Sequence, residues 1–366
     1  MTQREREIYE IIRAMPMIEQ SEIAQKLNIT RSSVAVHIAN LQKKGYILGR
    51  GYLLREQDYI VGIGAANVDI HGKSKKNIIL RDSNPGNMNS SAGGVTRNVM
   101  ENMARLGAPV KLITALGDDI YADQIRSECT AARIDFSHSM VVEKHPSSTY
   151  ISILDESGDM FVAMSDMSVL QRMNMEFLKS KSGIISGAKY ITCDAGLPQE
   201  VMEGILDVYG TQTPVFIDPV SCTYAEKLKP LIGKIDTLKP NRMETEVISG
   251  IQIQNETDLE RAADVLLEKG LKHIYISLGA DGCFYMNRDG VKIKRALRPL
   301  EQMENATGGG DAFMAAVLYA RLFDFHVSET LDFALAAGVA AISYKGTINP
   351  DMSVDLIEKI LEDRRL

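Results

Sequence analysis

The sequence lacks the features of a secreted or membrane-spanning chain. Its four cysteines, Cys129, Cys193, Cys222 and Cys283, are widely spaced without a Cys-x-x-Cys pair, which favours a reducing compartment. The first residues are charged where a signal peptide needs an apolar core. The best apolar run, 312–320, ends at Arg321 and is far shorter than the roughly 18 residues of a membrane span. We therefore expect a soluble cytoplasmic protein that meets no membrane.

The composition is that of an ordinary globular protein, but its charge is unevenly divided. The 366 residues exceed one typical domain, and 45% are hydrophobic and 24% charged. Residues 1–57 hold nine Lys and Arg against six Asp and Glu, whereas the chain as a whole has a net charge of −7. We therefore predict a small basic domain, 1–57, and a large acidic one, 58–366, with different partners.

The head, residues 1–57, has the pattern of a winged helix-turn-helix domain. Apolar residues recur at helical spacing in three short segments, and Thr30 can cap the third. A segment at 46–54 has the pattern of a β-hairpin, or wing. The third helix would enter the major groove of DNA. The predicted DNA contacts are polar or basic residues on that helix and at the hairpin tip: Arg31, Ser32, Ser33, His37 and Arg50. The alternative for the head is a three-helix oligomerisation module, and the alternative for His37 is an exposed helix residue rather than a ligand.

The body alternates short apolar strands with helices from Tyr59 onward. This alternation predicts an α/β fold with a mostly parallel sheet covered by helices on both faces, and ligands at the carboxyl ends of the strands. Two segments, about 71–90 and 149–164, break the alternation, and the second contains a hairpin signal. We expect these segments to form a β-rich lid outside the main sheet.

Three consecutive glycines precede a carboxylate at the start of an apolar helical run. Gly308, Gly309 and Gly310 let backbone N–H groups approach an anion at the amino end of the helix. Asp311 in the first turn could accept a proton from an attacking hydroxyl. The pattern favours phosphoryl transfer. The alternative is a glycine-rich loop capped by an aspartate.

Two other phosphate motifs fail. The segment Gly72-Lys73-Ser74 ends like a P-loop, but Asn67 stands where the first glycine of that motif is required. Gly62 and Gly64 begin a dinucleotide fingerprint, yet Asn67 again displaces the third glycine and no helix follows.

Four stretches of the body, in the same order along the chain, resemble motifs of the ribokinase-like, phosphofructokinase-B type carbohydrate and nucleoside kinases. The stretches are 64–69, 92–98, 239–244 and 307–311. Further similarity to the pseudouridine kinases of that family is carried by segments 82–86, 165–167, 214–221 and 349–350. The resemblance implies a ribokinase-like α/β fold with a β-flap lid.

The resemblance also implies roles for the acceptor side of the site. Asp311 matches the general base, and Gly308, Gly309 and Gly310 match the backbone anion hole. Asp69, placed at the end of the first strand, matches the carboxylate that accepts hydrogen bonds from sugar hydroxyls. The other implied substrate contacts are Gly93, Gly94, Asn98, Asp166 and Asp194. Local alternatives stay open, among them a turn residue for Asp69, a helix-surface residue for Asn98 and a helix cap for Asp194.

The nucleotide side follows from the same resemblance. Glu244 would hold Mg²⁺ through water, with retained waters typical of that ion. The implied ATP contacts are Asn241, Ser277, Gly279, Gly282 and Thr307. Gly309 stands where the family usually has alanine. Asn305 replaces an aspartate common in potassium-activated members, so a K⁺ site is left open.

The expected reaction is phosphorylation of the 5′-hydroxyl of pseudouridine by Mg·ATP in a homodimer whose head binds DNA. One alternative keeps the chemistry and changes the acceptor to another nucleoside or a free sugar. Another makes the body a nucleoside sensor and the head a transcription regulator.

Overall fold

The computed structural model describes residues 1–47, 58–298, 304 and 307–364. The chain forms two compact units, Met1–Gln57 and Asp58–Leu366, and each is described by itself. Across the described residues, no helix combines the length and the apolar character needed to cross a membrane.

The head contains three helices around a small apolar core. They are α1 (Gln3–Ala14), α2 (Gln20–Leu27) and α3 (Arg31–Lys43). The hydroxyl of Thr30 accepts a hydrogen bond from the backbone N–H of Ser33, so Thr30 caps α3 as predicted. Val34 and Ile38 of α3 pack inward with apolar residues of α1 and α2. Most of the predicted wing, including Arg50, lies outside the described residues.

The body alternates strands and helices along the chain. The strands are β1 (Ile60–Ile63), β2 (Asn67–Ser74), β3 (Gly86–Gly93), β4 (Val110–Ile113), β5 (Ala115–Leu116), β6 (Met140–Val141), β7 (Thr149–Leu154), β8 (Met160–Asp166), β9 (Tyr190–Asp194), β10 (Val215–Asp218), β11 (Thr237–Leu238), β12 (His273–Ser277), β13 (Cys283–Asn287) and β14 (Lys292–Arg295). The helices are α4 (Val95–Arg105), α5 (Ile120–Ala131), α6 (Met175–Ser180), α7 (Ser182–Ser186), α8 (Gln199–Val208), α9 (Cys222–Ala225), α10 (Arg242–Ser249), α11 (Glu256–Glu268), α12 (Gly309–Leu322), α13 (Val327–Ile342) and α14 (Val354–Arg364).

The main sheet has the strand order β14-β13-β12-β11-β10-β9-β1-β4 among the described residues. Neighbours from β4 through β12 pair in parallel, whereas β12, β13 and β14 pair antiparallel. Successive side chains of a strand point to opposite faces, so Ile60 and Val61 enter two different apolar cores. The prediction of a mostly parallel sheet with both faces covered is confirmed.

A close approach of α4 to β1 depends on Gly62. A Cβ at this position would lie 2.8 Å from side-chain atoms of Met100 and Thr96. The absence of that Cβ lets α4 lie directly on β1, and α4 carries residues that line the ligand cavity described below.

The lid is a separate sheet with the order β3-β2-β7-β8. β2 and β7 pair in parallel, while the two outer pairs are antiparallel. The strands extend beyond the predicted segments, since β2 begins at Asn67 and β8 ends at Asp166. Along β2, Asp69 and His71 face the cavity. The alternate residue, Ile70, therefore belongs to the opposite face.

Candidate active site

A cavity of about 970 Å³ lies between the inner face of the lid and the carboxyl ends of the central strands. Its polar lining comes from the lid, α4, the end of β9 and the start of α12, including Asn67, Asp69, His71, Asn89, Asn98, Asp194, Thr307 and Asp311. The carboxyl ends of parallel strands are the usual ligand position in such sheets. A cavity of this size accommodates a small organic molecule.

The glycine loop brings the amino end of α12 to this cavity. Gly308 has a φ of 84° and sits in the left-handed region, where a side chain would also collide with the carbonyl oxygen of Thr347. Gly309 and Gly310 form the first turn, and no side chain of the described residues caps this helix. Its first N–H groups therefore give the cavity wall a partial positive charge.

Asp311 is the third residue of α12 and lines the cavity. Burial, and after it the nearby charge of Asp218, raise the pKa of its carboxyl to about 7. A hydrogen bond from Asn98 and the charge of Lys239 act in the opposite direction. A carboxyl that ionises near neutral pH is suited to accept a proton from an alcohol.

Asn98 contacts the carboxyl of Asp311 directly. Its Nδ2 donates to Asp311 Oδ2 over 2.9 Å, and its Oδ1 accepts from Arg97 over 3.1 Å. The side chain is buried, so the alternative of a polar residue on the helix surface is wrong. The resemblance implied only a substrate contact for Asn98, whereas the structure shows that this residue also donates a hydrogen bond to Asp311.

Asp69 lies in the lid, because its strand, β2, pairs with β3 and β7. Its placement at the end of the first strand is therefore wrong. Its Oδ1 accepts a 2.6 Å hydrogen bond from Asn67, and burial raises the pKa of the carboxyl. Gly93 lets the Asp69 carboxylate keep this position, since a Cβ there would displace it. Gly94 has a φ of 99° and begins α4 beside the same cavity.

Asp194 lines the cavity, whereas Asp166 is not among its lining residues. The carboxylate of Asp194 is fully buried and accepts hydrogen bonds from Ala65 N, Thr96 Oγ1 and Gly196 N. These bonds hold the cavity wall together, and α8 begins only at Gln199, so the helix-cap alternative is also wrong. Asp166 is exposed at the end of β8 and accepts from Ser168 N.

Three of the residues predicted for ATP and Mg²⁺, Asn241, Glu244 and Ser277, lie at the amino end of α10. Asn241 caps this helix, and the Glu244 carboxylate accepts from Asn241 N over 2.8 Å in a reciprocal capping box. Ser277 forms a β-bridge with Asn241. Gly279 and Gly282 follow in a tight turn with positive φ, while Thr307 lines the cavity beside Asp311.

Glu244 is chemically suited to a cation. The residue is 5% exposed, and burial and the charge of Asp218 raise the pKa of its carboxyl, while the hydrogen bond from Asn241 N and the charge of Lys239 lower it. A nearby cation would stabilise the ionised form. Within the described ranges, no group of three or more His, Cys, Asp or Glu side chains could enclose a metal. One carboxylate together with substrate phosphates is a usual way to bind Mg²⁺, which keeps several of its waters.

Asp218 and Lys239 form a buried ion pair that sequence reasoning left without a role. Lys239 Nζ lies 2.8 Å from Asp218 Oδ2 and donates to Gly310 O over 3.3 Å. Burial disfavours its charge, but Asp218, Asp311 and Glu244 hold the pKa of Lys239 above its usual value. The pair thus links the end of β10 to the glycine loop. Lys239 stands two residues before Asn241, and this proximity to a predicted site residue is the sequence signal that could have identified it.

Val220 closes another wall of the cavity in an unusual backbone conformation. Its φ is 68°, and the flanking Ser221 N donates to Pro219 O over 2.7 Å, so the backbone forms a three-residue turn. The other oxygen of Asp218, Oδ1, accepts from Val220 N over 2.8 Å. A β-branched residue seldom adopts positive φ, and such strain concentrates at functional sites.

The predicted DNA contacts of the head lie along the amino-terminal half of α3 where they can be described. Arg31 and Ser32 are exposed, and Ser33 is half-buried beside the Thr30 cap. His37 is also half-buried, so its description as an exposed helix residue is wrong. Arg50 and most of the predicted wing lie outside the described residues. Asn305, the position that bears on a K⁺ site, also lies outside them.

Comparison with known proteins agrees with this architecture. Residues 57–354 match the model of the "pfkB family carbohydrate kinase", and residues 1–47 match "Winged helix-turn-helix DNA-binding". The chain belongs to the pfkB family of carbohydrate kinases. Its head is a winged helix-turn-helix domain, and both resemblances predicted from the sequence are confirmed.

Two relatives from Escherichia coli match most of this pfkB-family kinase. The "Uncharacterized sugar kinase YeiI" is 32% identical over 97% of this chain and 98% of its own. The "Pseudouridine kinase" is 34% identical over 85% of this chain and 98% of its own. Both matches support a sugar or nucleoside kinase.

Solved structures show the same fold. A Clostridium perfringens protein is 36% identical, with a TM-score of 0.76 over 85% of this chain and 97% of its own. The ribokinase of Arabidopsis thaliana, solved with ribose and ATP, is 21% identical, with a TM-score of 0.75 over 84% of this chain and 99% of its own. At that identity the second match establishes the fold alone.

Proposed function

We propose that this kinase transfers the terminal phosphoryl group of ATP to the 5′-hydroxyl of pseudouridine. The observation that carries the proposal is the Asp311 carboxyl, which lines a cavity beside the uncapped amino end of α12 and has a pKa raised to about 7. The choice of nucleoside is supported by 34% identity to the E. coli pseudouridine kinase.

In this proposal, Asp69 accepts hydrogen bonds from sugar hydroxyls, which places the 5′-oxygen next to Asp311. Asp311 takes the hydroxyl proton as the oxygen forms its bond to the phosphorus and the bond to the departing diphosphate breaks. The N–H groups of Gly308, Gly309 and Gly310 stabilise the charge on the phosphoryl oxygens. Lys239 keeps a positive charge beside that loop.

The nucleotide side is assigned from the family resemblance. Bound Mg·ATP would supply the phosphoryl group, and the metal would neutralise part of its charge. Glu244 would hold the metal through water, and Asn241, Ser277, Gly279, Gly282 and Thr307 would surround the nucleotide. Closure of the lid over the acceptor would exclude water that otherwise competes for the phosphoryl group.

A panel of acceptors tests the proposal. Pseudouridine, uridine, other ribonucleosides and free ribose are each offered with Mg·ATP, and the phosphorylated position of each product is determined. We expect the highest kcat/KM for pseudouridine, with phosphate on the 5′-oxygen. A preference of tenfold or more for another acceptor would overturn the choice of pseudouridine, and absence of transfer to every acceptor would overturn the kinase assignment of the site.

The head supports a second activity, which is DNA binding. Arg31 and Ser32 are exposed at the amino end of α3, the helix that enters the major groove in this class of domain. Binding should weaken steeply as salt rises, because phosphate contacts release counterions. Arg31→Ala should weaken binding further, and binding that ignores both salt and this substitution would contradict the assignment. If nucleoside shifts the DNA affinity, the protein is also a nucleoside-responsive regulator.

A homodimer and a cytoplasmic location remain predictions. The outer face of the lid sheet exposes apolar side chains, among them Met88, Ile151 and Met164, and offers an area for a second subunit. Sedimentation of the purified protein tests the dimer directly.

A further inference from the structure

Arg97 is a buried arginine adjacent to the proposed base. Its side chain is 2% exposed, although it lies in α4 next to Asn98. Arginine is almost never fully buried unless it is paired. Arg97 forms ion pairs with Glu101 in its own helix and with Glu128 in α5, the latter over 3.6 Å. The mechanism proposed above gives this group no role.

The contacts of Arg97 determine how Asn98 is oriented. Arg97 donates to Asn98 Oδ1 over 3.1 Å, and the opposite side of the same amide donates to Asp311 Oδ2 over 2.9 Å. A guanidinium has donors only, so it accepts no hydrogen bond from an amide nitrogen. Rotating the Asn98 amide by half a turn would place its nitrogen against Arg97 and its oxygen against Asp311, and both hydrogen bonds would be lost.

We propose that Arg97 is a positioning residue that fixes the Asn98 amide and thereby holds Asp311 as a hydrogen-bond acceptor. The catalytic part of this inference rests on the proposed function, in which Asp311 is the base. The structural part does not, because the geometry of the three side chains exists in the free protein.

The same guanidinium also fixes the end of a lid strand. Arg97 donates to Ala92 O over 3.1 Å, and the Glu128 carboxylate accepts from Ala92 N over 3.0 Å. Ala92 directly precedes Gly93, whose missing side chain leaves space for the Asp69 carboxylate. Arg97 therefore supports the proposed sugar anchor and the proposed base from one buried position.

Several charged and polar groups surround Asp311, and their effects on its pKa determine the direction of the shift expected in the variants. The neighbouring Asp218, at the end of β10, and Asp194, at the end of β9, favour the protonated form, as does burial itself. Lys239, after β11, and the Asn98 amide favour the ionised form. Removing the donor that Arg97 orients should therefore raise the pKa of Asp311.

Four variants test the inference: Arg97→Gln, Asn98→Ala, the double variant of these two, and Arg105→Gln as the control. Arg105 lies in the same helix and pairs with the same Glu101, but its other hydrogen bond goes to Pro350 O. The control thus removes an ion pair to Glu101 and leaves the hydrogen bonds of Asn98 in place. If Arg97→Gln does not fold, Arg97→Lys keeps the charge beside the two glutamates and replaces it in the series.

Two readouts are used. The first is the pH dependence of kcat/KM, and the second is the carboxyl ¹³C shift of Asp311 in the free protein, assigned by its loss in Asp311→Asn. We expect Arg97→Gln and Asn98→Ala each to raise the apparent pKa by about one unit, because the first releases and the second removes the amide that donates to the ionised Asp311. The double variant should show no larger shift, and the control should match the unaltered protein.

An unchanged pKa in the Arg97 variant that folds, or a double variant whose shift is the sum of the two single shifts, would overturn the inference. If the unaltered protein phosphorylates no acceptor, the proposed function fails, while the ¹³C titration still decides whether Arg97 acts on Asp311.

Discussion

The two sheets of the body differ in what stabilises them. Every residue of β1, β9 and β10 in the main sheet is buried, whereas every residue of β8 in the lid is exposed. The main sheet is stabilised by apolar surface removed from water, which amounts to about 25 cal/mol per Å². The lid has one polar face turned to the cavity, and its buried residues are confined to parts of β2, β3 and β7. The outer strand β8 therefore contributes less to the stability of the body than a strand of the main sheet does.

The largest expected difference between the sheets is in their response to loss of an aromatic side chain. Phe216→Ala in β10 removes a fully buried ring that contacts Tyr190, and should lower the free energy of unfolding by about 3–5 kcal/mol. Phe161→Ala in β8 removes a half-exposed ring and should change it by less than about 1 kcal/mol. Urea unfolding of both variants measures the difference, and equal losses would contradict the comparison.

A smaller effect, on catalysis alone, is expected for the carboxylate that the lid contributes. Asp69→Asn removes a charged hydrogen-bond acceptor from the cavity and should lower kcat/KM by about 10- to 100-fold, the kinetic equivalent of one charged hydrogen bond. The urea midpoint should not fall. Asp82→Asn, in an exposed lid loop, is the control and should leave both quantities unchanged. A loss of stability without a loss of activity would assign Asp69 to the fold instead.

The main sheet and α12 hold Asp311 at a cost in stability. The pKa of Asp311 is higher in the folded protein than in the unfolded chain, so the folded state favours the protonated carboxyl. Stability therefore falls as the pH rises from the unfolded pKa to about 7, and levels off above that pH. Asp311→Asn should therefore stabilise the protein at pH 8 by on the order of 1–3 kcal/mol. This gain should shrink toward zero below pH 4. Thermal unfolding across this pH range measures it, and a gain that grows as the pH falls would contradict the sign.

The sequence predicted the main sheet well, because continuous apolar runs such as 190–193 and 215–217 leave no other favourable environment for their side chains. It predicted the lid less accurately. Asp69 follows the strand β1 after only five residues, and nothing in the local pattern shows that the chain has already crossed into a second sheet. Pairing between β2 and β7 joins segments about 80 residues apart, and such register is a tertiary property.

The site was predicted through its motifs, and its internal contacts were not. Glycines 308–310 and Asp311 lie where the pattern indicated, since a turn with positive φ at a helix start has a clear sequence signal. The hydrogen bond between Asn98 and Asp311 joins residues 213 apart in the chain. The buried pair of Asp218 and Lys239 likewise depends on the order of β10 and β11 in the sheet. The local sequence likewise does not show that three protein groups donate hydrogen bonds to the Asp194 carboxylate.

The rate of phosphoryl transfer in Asp311→Asn tests the central claim most directly. The variant is compared with the unaltered protein at saturating Mg·ATP and pseudouridine, at pH 8, after circular dichroism and nucleotide binding have shown that both proteins are folded and loaded. Loss of a general base should lower kcat by at least about 100-fold, and the remaining rate should no longer rise with pH through 7. An unchanged kcat with the same pH dependence would show that another group accepts the proton.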